Sequence, residues 1–183
     1  MKKITIPILI LFILSGCNRG YESLEEAVQS EWKTPIKVVN QDEERLQDHM
    51  TTSQQAVFRV RQEILKADGI WIFTPEYNQS YPGLLKNLFD WLSRPMDISN
   101  FTNPTAVQGK KVTASGAGGR NMTKSCREKL NELLEYIKMD VMKEPQAGIA
   151  LGMEAWVKGE FHLTVEQLNE LKIQAEKFVE FIK

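Results

Sequence analysis

Short, continuously apolar runs are separated along the chain by longer segments in which apolar residues recur at helical spacing. This pattern predicts buried strands that alternate with amphipathic helices. The wholly apolar run Ile70–Phe73 predicts a buried strand, and Lys110–Ala114 predicts a second, shorter one. Further short strands are predicted at Ile36–Val39 and Met139–Met142. Because these strands alternate with helices, the pattern favours an α/β fold in which helices cover both faces of a parallel sheet.

Apolar residues at helical spacing predict the helices of this arrangement. They lie over Tyr21–Trp32, from an N-cap at Ser53 to Lys66, from Pro82 to about Ser93–Pro95, over Thr123–Lys138, and from an N-cap at Thr164 to the C-terminus. Gln167 stands three residues after Thr164, where a capping box needs Glu or Gln. The predicted inward stripe of the last helix consists of Leu168, Leu171, Ala175, Phe178 and Ile182.

The first seventeen residues have the pattern of a bacterial export signal. A basic start, Met1–Lys3, precedes the apolar run Ile4–Leu14, which is too short for a transmembrane helix. The following Leu14–Cys17 resembles a lipobox, in which cleavage occurs before the cysteine and lipid is attached to its sulfur. The segment therefore predicts a lipoprotein anchored through Cys17.

A second interpretation of the same segment is a buried first strand. A central strand of a parallel sheet is expected to be continuously apolar, as Ile4–Leu14 is. Pro7 counts against this interpretation, because proline removes a donor from a central strand. Both interpretations stay open, but they exclude each other, since cleavage before Cys17 would discard the strand.

Composition and charge narrow the range of functions. A chain of 183 residues fits one domain, and 23 basic against 24 acidic residues leave a net charge of −1 without a basic stripe. We therefore expect no nucleic-acid partner. With two cysteines and two histidines far apart, neither a disulfide framework nor a protein metal site is expected.

The candidate chemistry lies in two segments that follow predicted strands. Thr74–Asn78 places polar residues just beyond Ile70–Phe73, where open α/β sheets bind ligands, and Glu76, Tyr77 and Asn78 would present their backbone groups there. Ser115–Gly119 follows Lys110–Ala114 and is predicted to be a glycine-rich loop, whose backbone can approach a ligand closely. An ordinary strand–helix turn would have a similar composition.

The stretch from Thr74 to Trp91, TPEYNQSYPGLLKNLFDW, closely resembles the NAD(P)H-dependent FMN reductase family. The resemblance implies a flavodoxin-like three-layer sandwich with a parallel sheet, incomplete or atypical at strand 1. It assigns residues 44–183 to the reductase domain. Residues 1–43 are either the lipoprotein-signal-like segment or a degraded first βαβ segment, in which Gly16–Arg19 replaces the family's Gly-Ser-x-Arg phosphate loop.

The resemblance also implies the cofactors FMN and NAD(P)H. The reaction would be two-electron transfer to a small-molecule acceptor such as a quinone, azo dye, metal oxyanion or flavin, with no catalytic side chain. It implies a homodimer or homotetramer in the cytoplasm, whereas processing of Leu14–Cys17 would hold the protein at a membrane, only through a lipid on Cys17. The cofactor-binding residues that it predicts are Pro75, Glu76, Tyr77, Asn78, Ser115, Gly116, Ala117, Gly118, Gly119 and Arg19.

The alternative is a non-enzymatic lipoprotein, or a defective fusion product that has lost FMN binding. Cys17 replaces the serine of the phosphate loop, and Glu22 falls where the family has a second serine. A carboxylate at that place repels a phosphate. The seam of such a fusion would lie near Asn40–Glu44.

Overall fold

The computed structural model of this protein describes residues 8–12, 52–96, 100–158 and 162–183. The predicted helix Tyr21–Trp32 and strand Ile36–Val39 lie outside the described residues, as do Cys17 and Arg19.

The centre of the structure is a five-stranded sheet in which every described pairing is parallel. The strand order is β1-β2-β3-β4, and β5 also pairs with β3, beyond the end of β4. The parallel α/β class predicted from the sequence is therefore confirmed. The strands are β1 Ile8–Phe12, β2 Gly69–Pro75, β3 Lys111–Gly118, β4 Asp140–Val141 and β5 Gly148–Ala150.

Helices connect these strands and pack on both faces of the sheet. They are α1 Thr52–Lys66, α2 Gly83–Leu92, α3 Lys124–Tyr136, α4 Met153–Lys158 and α5 Val165–Ile182. α2 begins at Gly83 with Pro82 as its N-cap, one residue after the predicted start at Pro82. α1 already begins at Thr52, before the predicted N-cap Ser53. The capping box of α5 is confirmed: the Gln167 amide donates to Thr164 Oγ1, and the Thr164 amide donates to Gln167 Oε1.

Residues 8–12 form a strand in this structure. β1 pairs with β2 over five residues, from Ile8 opposite Gly69 to Phe12 opposite Phe73. Pro7 lies outside the described residues, and the described strand begins after it, at Ile8. This arrangement agrees with the strand interpretation of the first segment.

The carboxyl half of β3 corrects the prediction of a glycine-rich loop at Ser115–Gly119. The strand continues through Gly118, and only Gly119 lies beyond it. Small residues look like a loop in sequence, but here they pair with β2 on one side and β5 on the other. The sequence also predicts a glycine-interrupted connection over Gln146–Gly159, and this prediction is wrong, because the segment contains β5 and α4.

Alternate side chains of β2 pack in two separate hydrophobic clusters, one on each face of the sheet. Ile70 and Ile72 pack in the larger cluster with apolar residues of α1, α2 and α3. Trp71 packs on the opposite face with Phe178 of α5, as the two-residue repeat of a strand requires. In the predicted stripe of α5, Phe178 is fully buried, but Leu168 is 59% exposed.

A fully buried glutamine of α5, Gln174, bridges an interruption in the sheet. Between β4 and β5 the chain leaves the ladder, so the middle of β3 lacks a strand partner on that side. Gln174 Nε2 donates to the Ala114 carbonyl at 3.0 Å, and Gln174 Oε1 accepts from the Ala147 amide at 2.7 Å. The side-chain carboxamide thus occupies the place of a peptide group in the ladder.

The same carboxamide satisfies two buried hydroxyl groups. Ser115 Oγ donates to Gln174 Oε1 at 2.7 Å and accepts from Trp71 Nε1 at 2.9 Å. Gln174 Nε2 also donates to Thr113 Oγ1 at 2.9 Å, and that hydroxyl donates to the Met142 carbonyl. Gln174 thus bonds directly to β3 and to Ala147, and through the two hydroxyl groups it is linked to Trp71 and Met142.

We expect Gln174→Met to lower the free energy of unfolding by about 3 kcal/mol. The substitution keeps the volume but leaves buried donors and acceptors unpaired, each at a cost of roughly 1–3 kcal/mol. Urea unfolding measures the change. Lys172→Met on an exposed position of the same helix is the control and should shift stability by less than about 0.5 kcal/mol. Equal losses in the two variants would contradict the bridging role.

Candidate functional site

Two loops lie side by side at the carboxyl edge of the sheet. Pro75 at the end of β2 is opposite Ala117, and Gly118 at the end of β3 is opposite Ala150 of β5. Because these strands are parallel, the chain leaves β2, β3 and β5 at the same edge. We call residues 76–80 the β2 loop and residues 119–123 the β3 loop.

The β2 loop is a tight turn closed by two backbone hydrogen bonds. The Tyr77 amide donates to the Ser80 carbonyl at 2.8 Å, and the Ser80 amide donates to the Tyr77 carbonyl at 2.9 Å. Asn78 and Gln79 between them have φ of 49° and 61°, as a type I′ turn requires. Both residues are exposed, and their backbone groups take no part in the two closing bonds.

Backbone strain is concentrated in these two loops. Among the described residues, five that are not glycine have positive φ, and four of them are in the loops: Asn78, Gln79, Met122 and Thr123. A left-handed conformation costs a non-glycine residue roughly 1–2 kcal/mol. Conformations of this cost persist where the surroundings enforce them, and they cluster at binding and active sites.

The carboxylate of Glu76 joins the β2 loop to the β3 loop. Its Oε1 accepts from Asn121 Nδ2 at 2.7 Å, and its Oε2 accepts from the Cys126 amide at 3.0 Å. Asn121 and Cys126 lie beyond the predicted segment Ser115–Gly119, and that segment itself contacts Thr74–Asn78 through the pairing of β3 with β2. The sequence indicated only a backbone role for Glu76, since nothing local marks a bond across 45 residues.

Glu76 also supplies the cap that the start of α3 lacks. The N-cap Thr123 is left-handed and makes no side-chain capping bond; its hydroxyl donates to the Met122 carbonyl instead. Cys126 is the third residue of the helix, and its amide is one that an N-cap side chain usually satisfies. A carboxylate at this end is also favoured by the helix dipole.

The glycines of β3 make room for Thr123 within the fold. A Cβ on Gly116 would clash with the Thr123 side chain and stand 2.8 Å from the Thr74 carbonyl oxygen. A Cβ on Gly118 would lie 2.9 Å from Thr123 Cγ2. Gly119 is exposed and has nothing within 4 Å of a Cβ. Gly119 is thus the glycine of this set with open space beside it.

The other predicted site residues occupy different environments. Ser115 is fully buried, and its side chain is committed to Trp71 and Gln174 on the α5 side. Ala117 and Pro75 are half-buried, and Tyr77 is 41% exposed. The contacts of these residues with a cofactor remain predictions, and Arg19 lies outside the described residues.

Burial shifts the pKa of two titratable side chains next to the loops, Cys126 and Arg127. Desolvation raises the pKa of the Cys126 thiol to about 11, so the thiol is protonated at neutral pH and is a poor nucleophile. Desolvation lowers the pKa of Arg127, whose guanidinium donates to the Gln146 carbonyl at 2.7 Å and the Met122 carbonyl at 3.3 Å. Arg127 thereby ties the β3 loop to the segment before β5.

The described ranges contain no group of three or more His, Cys, Asp or Glu side chains that could hold a metal ion.

The sequence model for NADPH-dependent FMN reductases matches residues 22–154, which is most of the chain. The chain therefore belongs to this family. A second model, that of the prokaryotic membrane lipoprotein lipid attachment site, matches residues 1–18. In the part of the chain described here, no helix is long and apolar enough to cross a membrane.

Similar proteins support the fold and the family. The 2-hydroxy-1,4-benzoquinone reductase of a Burkholderia species is 36% identical over 101 residues, which are 55% of this chain and 52% of that protein. The chain thus spans about half the length of the curated relatives it matches.

Solved structures extend the likeness over nearly the whole chain. FerB, the flavoenzyme NAD(P)H:(acceptor) oxidoreductase of Paracoccus denitrificans, superposes with a TM-score of 0.64 at 22% identity over 97% of both chains. An archaeal flavodoxin superposes with a TM-score of 0.52 at 16% identity, over 97% of this chain and 99% of its own. At these identities the likeness concerns the fold, and it confirms the flavodoxin-like class.

We expect Gly116→Ala to lower the free energy of unfolding by about 1–3 kcal/mol, because the added methyl group overpacks the contact with Thr123. Urea unfolding without ligand measures the loss. Gly119→Ala is the matched control and should change stability by no more than about 0.5 kcal/mol. If both variants lose stability equally, Gly116 does not make room for Thr123.

Proposed function

We propose that this protein is an NAD(P)H-dependent FMN oxidoreductase that passes electrons to a small-molecule acceptor. The observation that carries the proposal is the pair of strained loops joined by Glu76 at the carboxyl edge of the sheet. Ligands of open α/β sheets bind at this edge. Membership of the FMN reductase family supports FMN as the ligand.

The described residues fit the ring of a flavin. A flat heteroaromatic ring needs backbone donors and acceptors along its edge and a surface on which its face can lie. The turn at Asn78 and Gln79 offers exposed backbone groups, and Gly119 offers a backbone without a side chain. The half-exposed ring of Tyr77 can flank the flavin plane.

Bound FMN would supply the redox chemistry, accepting two electrons from NAD(P)H and donating them to the acceptor. The role of the protein is to bind and orient the FMN ring and to exclude water from it. The Cys126 thiol stays protonated and the Glu76 carboxylate is engaged by two donors, so neither is positioned as an acid or base. No catalytic side chain is assigned.

The proposed acceptor is a quinone. The name of the Burkholderia relative, which specifies a hydroxybenzoquinone, supports this class. Azo dyes, metal oxyanions and free flavins are further acceptors that the family resemblance implies. A homodimer or homotetramer in the cytoplasm completes the proposal, on the same resemblance. The phosphate end of FMN is assigned to Gly16–Arg19, outside the described residues.

We expect FMN fluorescence to be quenched stoichiometrically when the purified full-length protein is titrated into it. Saturating FMN should also stabilise the fold by about 2.7 kcal/mol at a hundredfold excess over Kd, which thermal unfolding detects. The loaded protein should then oxidise NADPH or NADH in the presence of a benzoquinone. Unquenched fluorescence together with an unchanged melting temperature would overturn the proposal.

A second candidate function rests on the lipid attachment match at residues 1–18. In this alternative, cleavage before Cys17 yields a lipid-anchored protein without reductase activity, or a fusion product that has lost FMN binding. Such cleavage removes β1 and with it the whole pairing between Ile8–Phe12 and β2. The exposed edge of β2 would then lack its described partner.

The two candidates give different intact masses after expression in a bacterium. If β1 belongs to the sheet, the purified chain retains residues 1–16, carries no lipid and is released without detergent. If Cys17 is lipidated, the mass loses residues 1–16 and gains acyl chains, and the protein is found in the membrane fraction. If Cys17 is lipidated, Cys17→Ala should abolish the lipid. If β1 belongs to the sheet, the same substitution should leave the mass otherwise unchanged and the protein still released without detergent.

A further inference from the structure

We propose that Glu76 is the positioning residue of the flavin site, and that its carboxylate sets the relative placement of the β2 loop and the β3 loop. This inference rests on the proposed function. It goes beyond it by giving a side-chain role to a residue whose predicted contribution was its backbone. Glu76 acts on the cofactor through the loops that it holds.

Glu76 accepts a hydrogen bond at each end of its carboxylate. Both of its partners, the Asn121 side-chain amide and the Cys126 backbone amide, are donors. A carboxylate accepts with either oxygen, and bonds from neutral donors to a charged acceptor are stronger than neutral ones. The methionine side chain has only a weakly accepting sulfur, so both donors would lose their partner. The carboxamide of glutamine, in contrast, can accept from the Cys126 amide and donate to a side-chain oxygen at position 121.

Glu76 lies where its side chain can connect the β2 loop with the β3 loop. It stands directly after the last residue of β2 and directly before the turn that begins at Tyr77. Asn121 is in the middle of the β3 loop, beside the open backbone of Gly119 and the left-handed Met122. One side chain thus spans the two backbones that the proposal places along the flavin ring.

Loss of the Glu76 carboxylate should change the conformation of the β3 loop tip without disrupting the sheet. Other contacts keep the base of the β3 loop in place: β3 pairs with β2 and β5, Thr123 packs on Gly116, and Arg127 donates to the Met122 carbonyl. The tip of the loop at Asn121 is bonded to Glu76. A substitution at Glu76 should therefore release the tip while the sheet remains intact.

The same contacts bear on where a phosphate can bind. The amide of Cys126, which would otherwise be available at the start of α3, donates to Glu76. A bound anion at this end would meet the carboxylate. The edge between the two loops is thereby kept for an uncharged ring, and the negative charge of Glu76 is balanced by the helix dipole.

The test compares four proteins, each full-length: the wild type, Glu76→Met, Asn121→Asp and the double variant Glu76→Gln/Asn121→Asp. In the double variant the glutamine oxygen can accept from the Cys126 amide while its NH2 group donates to the new carboxylate. Asp140→Asn is the matched control, because Asp140 is an exposed carboxylate that pairs with Lys111 at the opposite end of β3. The readouts are FMN affinity, the visible absorption band of bound FMN and the melting temperature without FMN.

We expect each single variant to weaken FMN binding at least about tenfold, as the loss of one charge-assisted hydrogen bond would. The band of the flavin that remains bound should change shape, because the ring environment changes. The double variant should recover FMN affinity to within about threefold of the wild type. Asp140→Asn should bind FMN as the wild type does.

Each outcome decides between the two proposals. Failure of the wild type to bind FMN overturns the proposed function, and this inference with it. A wild type that binds FMN, together with Glu76→Met of unchanged affinity and absorption band, overturns the positioning role alone. If affinity is lost in both single variants and the double variant does not recover it, the direct contact with Asn121 is not what places the loops, and the inference fails. Recovery in the double variant supports it, even if the single variants melt earlier.

Discussion

The carboxamide of Gln174 holds together the part of the sheet on which the site depends. β4 and β5 both pair with β3 but are separated by a segment that leaves the ladder. In that interval the buried Gln174 side chain bonds the Ala114 carbonyl and the Ala147 amide, as a strand would. An unpaired backbone group at this depth is costly, so the interruption is tolerated because a side chain from α5 satisfies it.

The site above this bridge follows the same principle. The β2 loop and the β3 loop are each strained, and each is stabilised by a side chain from a distant segment. Glu76 accepts from Asn121 and the Cys126 amide, while Arg127 donates to the Met122 and Gln146 carbonyls. The arrangement leaves exposed backbone at the edge where a ring would bind, and it fixes that backbone by charge-assisted bonds underneath.

One apolar segment near the N-terminus has the sequence pattern of both an export signal and a buried strand. Export signals and central strands both need a continuous apolar run, and the run that contains Ile8–Phe12 provides it. In the structure these residues cover one edge of β2 over its first five positions. The lipid attachment match over residues 1–18 concerns the same segment, so one molecule cannot use it in both ways.

The sequence by itself determined the parallel α/β class, the strand at Ile70–Phe73, the helix that begins after Pro82 and the capping box of α5, because each depends on local periodicity or local hydrogen bonds. It also identified the two segments that come together at the carboxyl edge. Only the tertiary structure decided that Ser115–Gly118 is strand, that Gly116 makes room for Thr123 and that Gln174 belongs inside an otherwise apolar stripe. The pairing of Ser115–Gly118 and the bonds of Gln174 depend on partners tens of residues away, and the contact of Gly116 depends on how the chain turns back to Thr123. Small or polar residues carry no local signal of such partners.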